Sequence, residues 1–353
     1  MRVSLQKKMN KKVFQKDLLD WYDHNQRILP WRDNKNPYYI WISEIMLQQT
    51  KVQTVIPYFE RFIRTLPTIQ ALANAEEDAL LKLWEGLGYY NRVKNLQVAA
   101  KEVVHNFNGV LPNNKEDLET LKGIGPYTSG AIASIAFNKK HSAVDGNVLR
   151  VFARLLEIKG DIKEPKNKKR IKEYVETLLP SRVGDFNQGL MEIGATVCVP
   201  NGQPLCALCP FNSYCKAYLN NTTKEIPEKR KKKKRPIELK TVLVLKHNNR
   251  YAIEKRNDQG LLASMYQFPM FNGHLSIEEI IGFELGTIEK VSNLEINTHK
   301  FTHKEWNMQG YLIELSKDNT SYLYETYQNI DKNYTVPSAF SVYKKLIEVE
   351  LDE

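Results

Sequence analysis

The sequence predicts a mainly α-helical domain followed by a smaller α+β domain. With 353 residues, the chain is longer than one ordinary core requires. Between about residues 14 and 220, apolar residues recur at the three- and four-residue spacing of helices. Beyond a polar, basic stretch, short β-branched runs replace that pattern. We therefore predict a helical domain over residues 1–220, a linker over 221–238 and an α+β domain over 239–353.

Individual elements follow from the same patterns. Short breaks carrying Pro or Gly separate the apolar runs that predict helices, which cover residues 18–22, 40–47, 55–63, 80–87, 93–104, 131–137, 148–158 and 171–179. In the second domain, residues 242–245, the turn HNNR and residues 251–253 predict a β-hairpin. Residues 311–315 predict another strand, and residues 339–349 a closing helix.

Composition excludes some classes of protein. Hydrophobic residues make up 42% and charged residues 26%, as is typical of soluble globular proteins. No stretch reaches the ~18 uninterrupted apolar residues of a membrane span. The N-terminus lacks the apolar centre of a secretory signal. We expect a monomer that stays in the cytoplasm and binds no membrane.

Basic residues are concentrated in one place. The net charge is +10, and the run KRKKKKR at residues 229–235 alone carries seven positive charges. Such a run either follows the phosphates of a nucleic acid or is a solvated tether between domains. Overall basicity therefore indicates a polyanionic partner without proving one.

The cysteines form one cluster. Cys198, Cys206, Cys209 and Cys215 follow the pattern C-x7-C-x2-C-x5-C, and the chain has no other cysteine. Disulfides are unusual inside cells, so this spacing favours a metal site. Zinc sites usually show paired short spacings or histidine ligands, which are absent here. The pattern favours a 4Fe–4S cluster on four thiolates, with zinc as the alternative.

A glycine-bearing turn separates two helical stretches in LETLKGIGPYTSGAIASIAF, residues 118–137. Gly123 and Gly125 permit a tight turn, and Pro126 suits the first turn of the next helix. Backbone N–H groups at such a helix start bind phosphate. The alternative is a plain helix–helix turn.

Two carboxylates are candidates for acid–base chemistry. Glu44, in IWISEIML, is either at an exposed point of its helix or buried, and burial would raise its pKa until it held a proton near neutral pH. Asp145 precedes the apolar helix 148–158, whose N-terminal dipole favours the ionised form; a simple N-cap is the alternative. Opposite shifts would give a proton-donating acid and a persistent anion, the pairing that acid-assisted cleavage of a glycosidic bond uses.

Several motifs carry a resemblance to known enzymes. LKGIGPYTSGAI followed by AVDGN resembles the helix–hairpin–helix and downstream aspartate of the endonuclease III (helix-hairpin-helix-GPD) superfamily. LPWR, WISEIMLQQT and EGLGYYNR resemble MutY-type adenine DNA glycosylases in particular. This resemblance implies base-excision repair of double-stranded DNA, with adenine removed opposite 8-oxoguanine or guanine.

The resemblance also implies roles for individual residues. Glu44 is expected to be the general acid, Asp145 to stabilise or capture the sugar cation, and Asn147 to support it. The residues expected at the DNA are Trp31 and Arg32 near the extruded adenine, Gln49 and Tyr89 in the base stack, their neighbours Gln48, Thr50, Leu87 and Gly88, and the hairpin residues Gly123 and Gly125. The four cysteines are expected to hold the 4Fe–4S cluster.

Tyr127 separates two reaction types. In bifunctional relatives the residue two positions after the second hairpin glycine is a lysine that attacks C1′. Tyrosine cannot form a Schiff base, so we expect base removal without strand cleavage. A bifunctional endonuclease III-like glycosylase/lyase fails at this position. A non-catalytic Fe–S DNA-binding protein would leave Glu44 unexplained.

The last part of the chain resembles a Nudix-like domain, beginning with GLLASMYQFPM at residues 260–270. The Glu-rich helix that holds metal in Nudix hydrolases has no counterpart in residues 271–293, which favours a reader of DNA over a hydrolase. Phe301, Thr302 and His303 stand where the family reads 8-oxoguanine with Phe-Ser-His. Threonine keeps the serine hydroxyl and adds a methyl group.

Overall fold

A computed structural model describes residues 10–228, 234–318 and 321–349. These residues divide into two compact units. The first contains residues 10–74 and 94–228, and the second contains residues 75–93 together with the described residues from 234 onwards. The sequence pattern had assigned residues 75–93 to the helical domain. Of the predicted basic run, residues 229–233 lie outside the described residues.

The first unit is helical, as the apolar spacing predicts. The α-helices of residues 10–228, in chain order, are α1 (Lys11–Asn25), α2 (Pro37–Leu47), α3 (Val52–Thr65), α4 (Ile69–Ala73), α5 (Glu77–Trp84), α6 (Asn91–Asn106), α7 (Lys115–Thr120), α8 (Pro126–Ile135), α9 (Gly146–Leu156), α10 (Pro165–Leu178), α11 (Val183–Thr196) and α12 (Lys216–Leu219). Helix α5 belongs to the second unit, and α6 begins in it. The turn of the predicted helix–hairpin–helix lies between α7 and α8.

Helix α11 had no counterpart among the predicted runs. Its glycines weaken intrinsic helix propensity, but they allow backbones to approach closely. A Cβ atom at Gly184 would lie 2.8 Å from the Ser134 carbonyl oxygen, and one at Gly194 would lie 2.5 Å from Asn147 Cβ. Helix α11 thus packs closely against α8 and α9, the two helices that carry Tyr127 and Asn147.

The second unit is built on a mixed sheet. Its strands are β1 (Ile237–His247), β2 (Arg250–Lys255), β3 (Tyr266–Gln267), β4 (Met270–Asn272), β5 (Thr287–Lys300), β6 (Glu305–Lys317) and β7 (Leu323–Glu325). The spatial order is β3-β2-β1-β6-β5, with β4 paired to β1 and β7 to β2. Strands β1 and β6 run parallel, whereas β5 and β6 are antiparallel. The predicted β1–β2 hairpin is confirmed, and Asn248 and Asn249 at its turn both have positive φ.

Both faces of this sheet are covered. Alternate residues of β1 enter two separate cores: Val242 and Val244 face one, and Leu243 and Leu245 face the other. After the linker, this unit has three further helices, α13 (Ile277–Ile281), α14 (Tyr327–Asn333) and α15 (Ser341–Val349). Ile330 and Ile347, from the last two, join the first core, and Ile280 from α13 joins the second. This arrangement confirms the predicted α+β class and the closing helix.

The sequence patterns did not predict strand β5. Its pairing with β6 shifts register after Thr287, Ile288 and Leu294, so its apolar residues do not alternate regularly. None of the helices in the described ranges is both long and apolar enough to cross a bilayer.

The close approach of α8 to the segment before Asp145 yields a stability prediction. A Cβ atom at Gly130 would lie 2.3 Å from the backbone oxygen of Ser142, so Gly130→Ala must displace one backbone. We expect the free energy of unfolding, measured by urea denaturation, to fall by about 2 kcal/mol. Gly146→Ala is the control, because a Cβ there would meet no atom within 4 Å. Equal stability of the two variants would contradict the prediction.

Candidate active site

Glu44 lies on the buried helix α2. Asn36 caps this helix, Pro37 begins it, and almost every residue from Tyr38 to Met46 is buried, including Glu44 at 7% exposure. Burial raises the pKa of Glu44 to about 7, and the nearby negative charge of Asp145 contributes in the same direction. The buried alternative is therefore correct for Glu44, and its carboxyl group is partly protonated near neutral pH.

Tyr127 fixes the orientation of this carboxyl group. Its hydroxyl donates a 2.6 Å hydrogen bond to Oε2 of Glu44 and lies 3.6 Å from Sδ of Met191. Burial, followed by the charges of Glu44 and Asp145, raises the pKa of Tyr127 well above its usual range. Tyr127 is therefore a neutral hydrogen-bond donor. Its bond to Glu44 lowers the pKa of that residue and opposes the effect of burial.

Asp145 caps the N-terminus of α9. Its Oδ1 accepts a 2.8 Å hydrogen bond from the Val148 N–H, and its Oδ2 accepts a 2.6 Å bond from Nδ2 of Asn147. Burial nevertheless raises the pKa of Asp145, while these hydrogen bonds and the charge of Arg150 oppose the rise. The prediction of oppositely shifted carboxylates is wrong in this respect. The helix N-terminus does favour the anion, as expected, but the desolvation of Asp145 outweighs it.

Arg150 connects Asp145 to the cysteine segment. Its Nη2 donates to Oδ1 of Asn147 at 2.9 Å and to the Gly194 carbonyl at 2.7 Å, and its Nε donates to the Cys198 carbonyl at 2.8 Å. Asn147 thus accepts from Arg150 and donates to Asp145. These two bonds fix the orientation of Asn147, which was predicted to support the site.

The four cysteines line one cavity. They are free thiols, and the cavity also contacts Arg154 and Phe211. Nη1 of Arg154 donates to Sγ of Cys198 at 3.2 Å, which brings a buried positive charge to the cluster of thiols. Burial raises the pKa of Cys209 to about 12 and that of Cys215 to about 11. Within the described residues, no three His, Cys, Asp or Glu side chains gather around a point where a single metal ion could bind.

Trp31 and Arg32, predicted to lie near the extruded adenine, are held by contacts within the first unit. Trp31 is buried, with its ring edge-on to Phe59 at 5.3 Å between centroids. Arg32 donates to Oε2 of the buried Glu192 at 2.8 Å and to Oε1 of Gln188 at 3.1 Å. Its charge also lowers the pKa of Glu44, so it lies near the acid. An ion pair thus already holds the guanidinium of Arg32.

The residues predicted to enter the base stack share an unusual backbone conformation. Gln49 and Tyr89 have φ angles of 61° and 49°, and both side chains are exposed. A left-handed backbone is uncommon outside glycine and is often retained at functional sites. Among their predicted neighbours, Gln48 and Thr50 are partly exposed. Leu87 is buried, and Gly88 accepts hydrogen bonds from Arg92 and Trp84 through its carbonyl group.

The hairpin has the predicted geometry. Gly123 has a φ of 80°, and a Cβ atom there would lie 3.0 Å from Cβ of Asn95. Gly125 is the N-cap of α8, where a Cβ atom would meet no atom within 4 Å. Open space therefore adjoins Gly125 at the start of α8, where the predicted phosphate site would lie.

In the second unit, the predicted reader loop is the turn between β5 and β6. The ring of Phe301 lies between those of His299 and Trp306, with centroids 4.6 and 4.7 Å away. Thr302 and His303 are exposed at the tip. The hydroxyl oxygens of Thr302 and Tyr89 are 3.3 Å apart. This unit therefore brings together a predicted stacking residue and the predicted reader loop.

The structure adds residues that sequence patterns did not identify. Met191 and Glu192 lie on α11, a helix that the sequence patterns did not predict because it contains several glycines. Arg150 and Arg154 occupy buried positions of α9 in a spacing that sequence alone assigns to a plain amphipathic helix. The available sequence signal was the presence of two arginines one turn apart within an apolar run, in a chain with a cysteine cluster.

Comparisons with known proteins agree with this arrangement. Residues 42–179 match the model of the HhH-GPD superfamily base excision DNA repair proteins, and residues 241–345 match the model of the NUDIX domain. The structure is similar to that of a thermostable thymine-DNA glycosylase, with a TM-score of 0.54 and 30% identity over 60% of this chain and 97% of that one. An endonuclease III–DNA complex shares the fold, with a TM-score of 0.51, 20% identity, and coverage of 60% of this chain and 98% of that one.

Curated relatives cover both units. The adenine DNA glycosylase of Buchnera aphidicola subsp. Acyrthosiphon pisum is 36% identical over 87% of this chain and 88% of its own length. That of Buchnera aphidicola subsp. Baizongia pistaciae is 40% identical over 82% of this chain and 83% of its own. The human enzyme is 44% identical over 58% of this chain and 39% of its own length. Identity at this level, sustained across the helical and sheet-containing units alike, means that this chain belongs to the adenine DNA glycosylase family.

Proposed function

We propose that this chain excises adenine from mispairs with 8-oxoguanine or guanine, by acid-assisted hydrolysis of the N-glycosidic bond. The observation that carries the proposal is the buried carboxyl group of Glu44, whose pKa is about 7 and whose orientation is fixed by Tyr127. The choice of adenine as the target base rests on family membership, and the acid-assisted mechanism rests on the geometry of Glu44 and Tyr127.

Glu44 delivers the proton. Tyr127 occupies Oε2, and no other hydrogen bond to the carboxyl group is found among the described residues, so Oε1 can carry the acidic proton. Transfer of this proton to a ring nitrogen of the flipped adenine lets the base leave with the electron pair of the N–C1′ bond. The deprotonated Glu44 then accepts a proton from the water that attacks C1′.

Asp145 stabilises the positive charge that develops on the sugar. Asn147 and the Val148 N–H fix both of its oxygens, so the carboxylate needs no reorientation as the charge appears. The raised pKa of Asp145 reflects a desolvated anion, and a desolvated anion interacts more strongly with a nearby cation.

Tyr127 determines how the reaction ends. It occupies the position of the lysine in strand-cleaving relatives, and it is engaged with Glu44. Because it offers no amine, C1′ is attacked by water and the abasic strand stays intact.

We expect Glu44→Gln to lower the single-turnover rate of adenine excision by at least about a hundredfold while DNA binding is retained. The amide can still accept the hydrogen bond from Tyr127 but has no acidic proton. Excision by the unmodified enzyme should fall about tenfold per pH unit well above pH 7, because the protonated fraction of Glu44 falls.

Tyr127→Phe is the matched variant. Removing the bond from Tyr127 raises the pKa of Glu44 further, so the falling limb of the pH–rate profile should move to higher pH. A fully active Glu44→Gln enzyme would exclude the acid role. Robust cleavage of abasic DNA on a denaturing gel would exclude the monofunctional assignment.

We further propose that the cysteine segment holds a 4Fe–4S cluster on Cys198, Cys206, Cys209 and Cys215. All four thiols line one cavity, and Arg154 brings positive charge to an assembly of anionic ligands. The four cysteines would hold the cluster as thiolates, which are the usual ligands of Fe–S clusters. A bound cluster would supply a structural cross-link at this segment. Arg150 connects the segment to Asn147, because it donates both to the Cys198 carbonyl and to Oδ1 of Asn147.

The purified protein should therefore be brown and contain iron and inorganic sulfide in equal amounts. Cys209→Ser should lose colour and lower the thermal unfolding temperature, because a metal site contributes directly to folding. Ser213→Ala, an exposed change in the same segment, is the control. A colourless protein that contains zinc would contradict the assignment.

Recognition of 8-oxoguanine is assigned to the turn that carries Thr302. Phe301 packs against the core, and Thr302 is exposed at the tip of the turn. The contact with Tyr89 places the reader beside a residue suited to enter the base stack.

We expect excision to be fastest opposite 8-oxoguanine, slower opposite guanine, and slowest opposite cytosine and thymine. Thr302→Val removes the hydroxyl at nearly constant shape and should lower the 8-oxoguanine-to-guanine rate ratio about tenfold. Thr302→Ser keeps the hydroxyl and should preserve the ratio. Equal rates on all four duplexes would refute the lesion preference itself.

A further inference from the structure

We propose that Glu85 is a positioning residue for substrate discrimination: it anchors the loop that carries Tyr89 to the second unit and thereby sets the preference for 8-oxoguanine over guanine. The inference rests on the proposed role of this unit in reading the base opposite adenine. Residues 75–93, which carry Glu85 and Tyr89, thereby take part in recognition of the opposite base, although they lie far from the sheet in the sequence.

The second unit is formed by two separate parts of the chain. Residues 75–93 interrupt the helical part of the chain and yet form one compact body with the sheet and its helices. Helix α5 packs beside α14. Tyr89 therefore belongs to the same body as the Thr302 turn, which explains how their hydroxyl groups can lie 3.3 Å apart.

Most contacts of the anchor converge on Glu85, at the C-terminal end of α5. Its Oε1 accepts a 3.0 Å hydrogen bond from the Val336 N–H and lies 3.9 Å from Nζ of Lys344. Its Oε2 accepts a 2.5 Å bond from Lys82, which also donates to the Tyr334 carbonyl at 3.0 Å. One carboxylate thus connects the end of α5 to the segment between α14 and α15.

Burial distinguishes this anchor from the other end of the helix. The side chains of Lys82 and Glu85 are each 22% exposed, whereas the ion pair of Asp78 with Lys255 is 42% and 45% exposed. Exposed pairs contribute little because solvent screens them, and partly buried pairs are screened less. Glu85 is therefore the contact whose loss should release the helix end.

A short, internally bonded loop transmits this position to Tyr89. Glu85 immediately precedes the loop, and the Gly88 carbonyl accepts from Nε1 of Trp84 at 3.1 Å and from Arg92 at 3.0 Å. The guanidinium of Arg92 also lies over the ring of Tyr89, 5.5 Å from its centroid. With both ends of the loop held in this way, movement of Glu85 displaces the Tyr89 ring relative to Thr302.

This geometry separates discrimination from chemistry. Glu44, Tyr127 and Asp145 belong to the first unit, whereas Glu85, Tyr89 and Thr302 belong to the second. Loss of the anchor should therefore weaken the advantage given by 8-oxoguanine and leave the slower, lesion-independent excision nearly intact.

The test compares Glu85→Ala with Glu76→Gln. Glu76 is an exposed glutamate at the start of the same helix, and its side chain makes no capping hydrogen bond. Single-turnover excision is measured on duplexes with adenine opposite 8-oxoguanine and opposite guanine. For Glu85→Ala we expect the rate ratio to fall about tenfold, with a change of less than about twofold on the guanine duplex. Glu76→Gln should match the unmodified enzyme.

A double variant and hydrogen exchange distinguish positioning from general loss of structure. If Glu85 acts through the contact between Tyr89 and Thr302, then Glu85→Ala combined with Thr302→Val should lower the ratio no more than the stronger single change. Hydrogen exchange of residues 85–93 should increase in Glu85→Ala and not in Glu76→Gln. Should Glu85→Ala fail to fold, Glu85→Gln, which loses the charge but keeps an acceptor for the Val336 N–H, takes its place in every measurement.

The outcomes separate this inference from the proposed function. An unmodified enzyme with equal rates on both duplexes refutes lesion reading. A clear preference that persists in Glu85→Ala refutes the anchor alone. Equal loss of rate on both duplexes, or multiplicative effects in the double variant, would also refute it, because either result means that Glu85 supports the structure in general.

Discussion

The removal of one carboxyl group from water is the constraint on which the active site depends. Helix α2 is surrounded by protein, so Glu44 cannot be hydrated as an exposed glutamate is. Burial therefore favours the protonated, neutral form of its carboxyl group. Tyr127 limits this effect with one hydrogen bond, which keeps the pKa near 7 and avoids a permanently neutral group. The balance between burial and that single donor gives an acid that can both release and regain a proton.

The surrounding helices are arranged to maintain that balance. Helix α11 approaches α8 and α9 at glycines, so that Met191 meets Tyr127 and the Gly194 carbonyl meets Arg150. Arg150 in turn orients Asn147 against Asp145. Because backbone contacts at this distance tolerate no added methyl group, the acid and the anion are held by the same close packing.

Sequence patterns could identify most of this site but not its energetics. The apolar neighbours of Glu44 in sequence pointed correctly to burial, and the glycines at 123 and 125 pointed to the hairpin. The partnership of Tyr127 with Glu44 depends on residues 83 positions apart, which no local pattern encodes. The pKa of Asp145 was mispredicted because the helix terminus is visible in sequence, whereas the desolvation that outweighs it arises only from tertiary packing. Strand β5 was not predicted because register shifts interrupt the alternation of its apolar residues. The membership of residues 75–93 in the second unit depends on long-range contacts such as that of Glu85 with Val336.

The left-handed backbone at Gln49 and at Tyr89 has a consequence for the entropy of binding at each of these two loops. Each residue holds this conformation in the protein alone, so the conformational entropy of ordering its loop is lost once, during folding. A loop that is ordered beforehand binds without a further loss of conformational entropy. A loop of this kind can engage successive sites on a polymer without being reordered at each one.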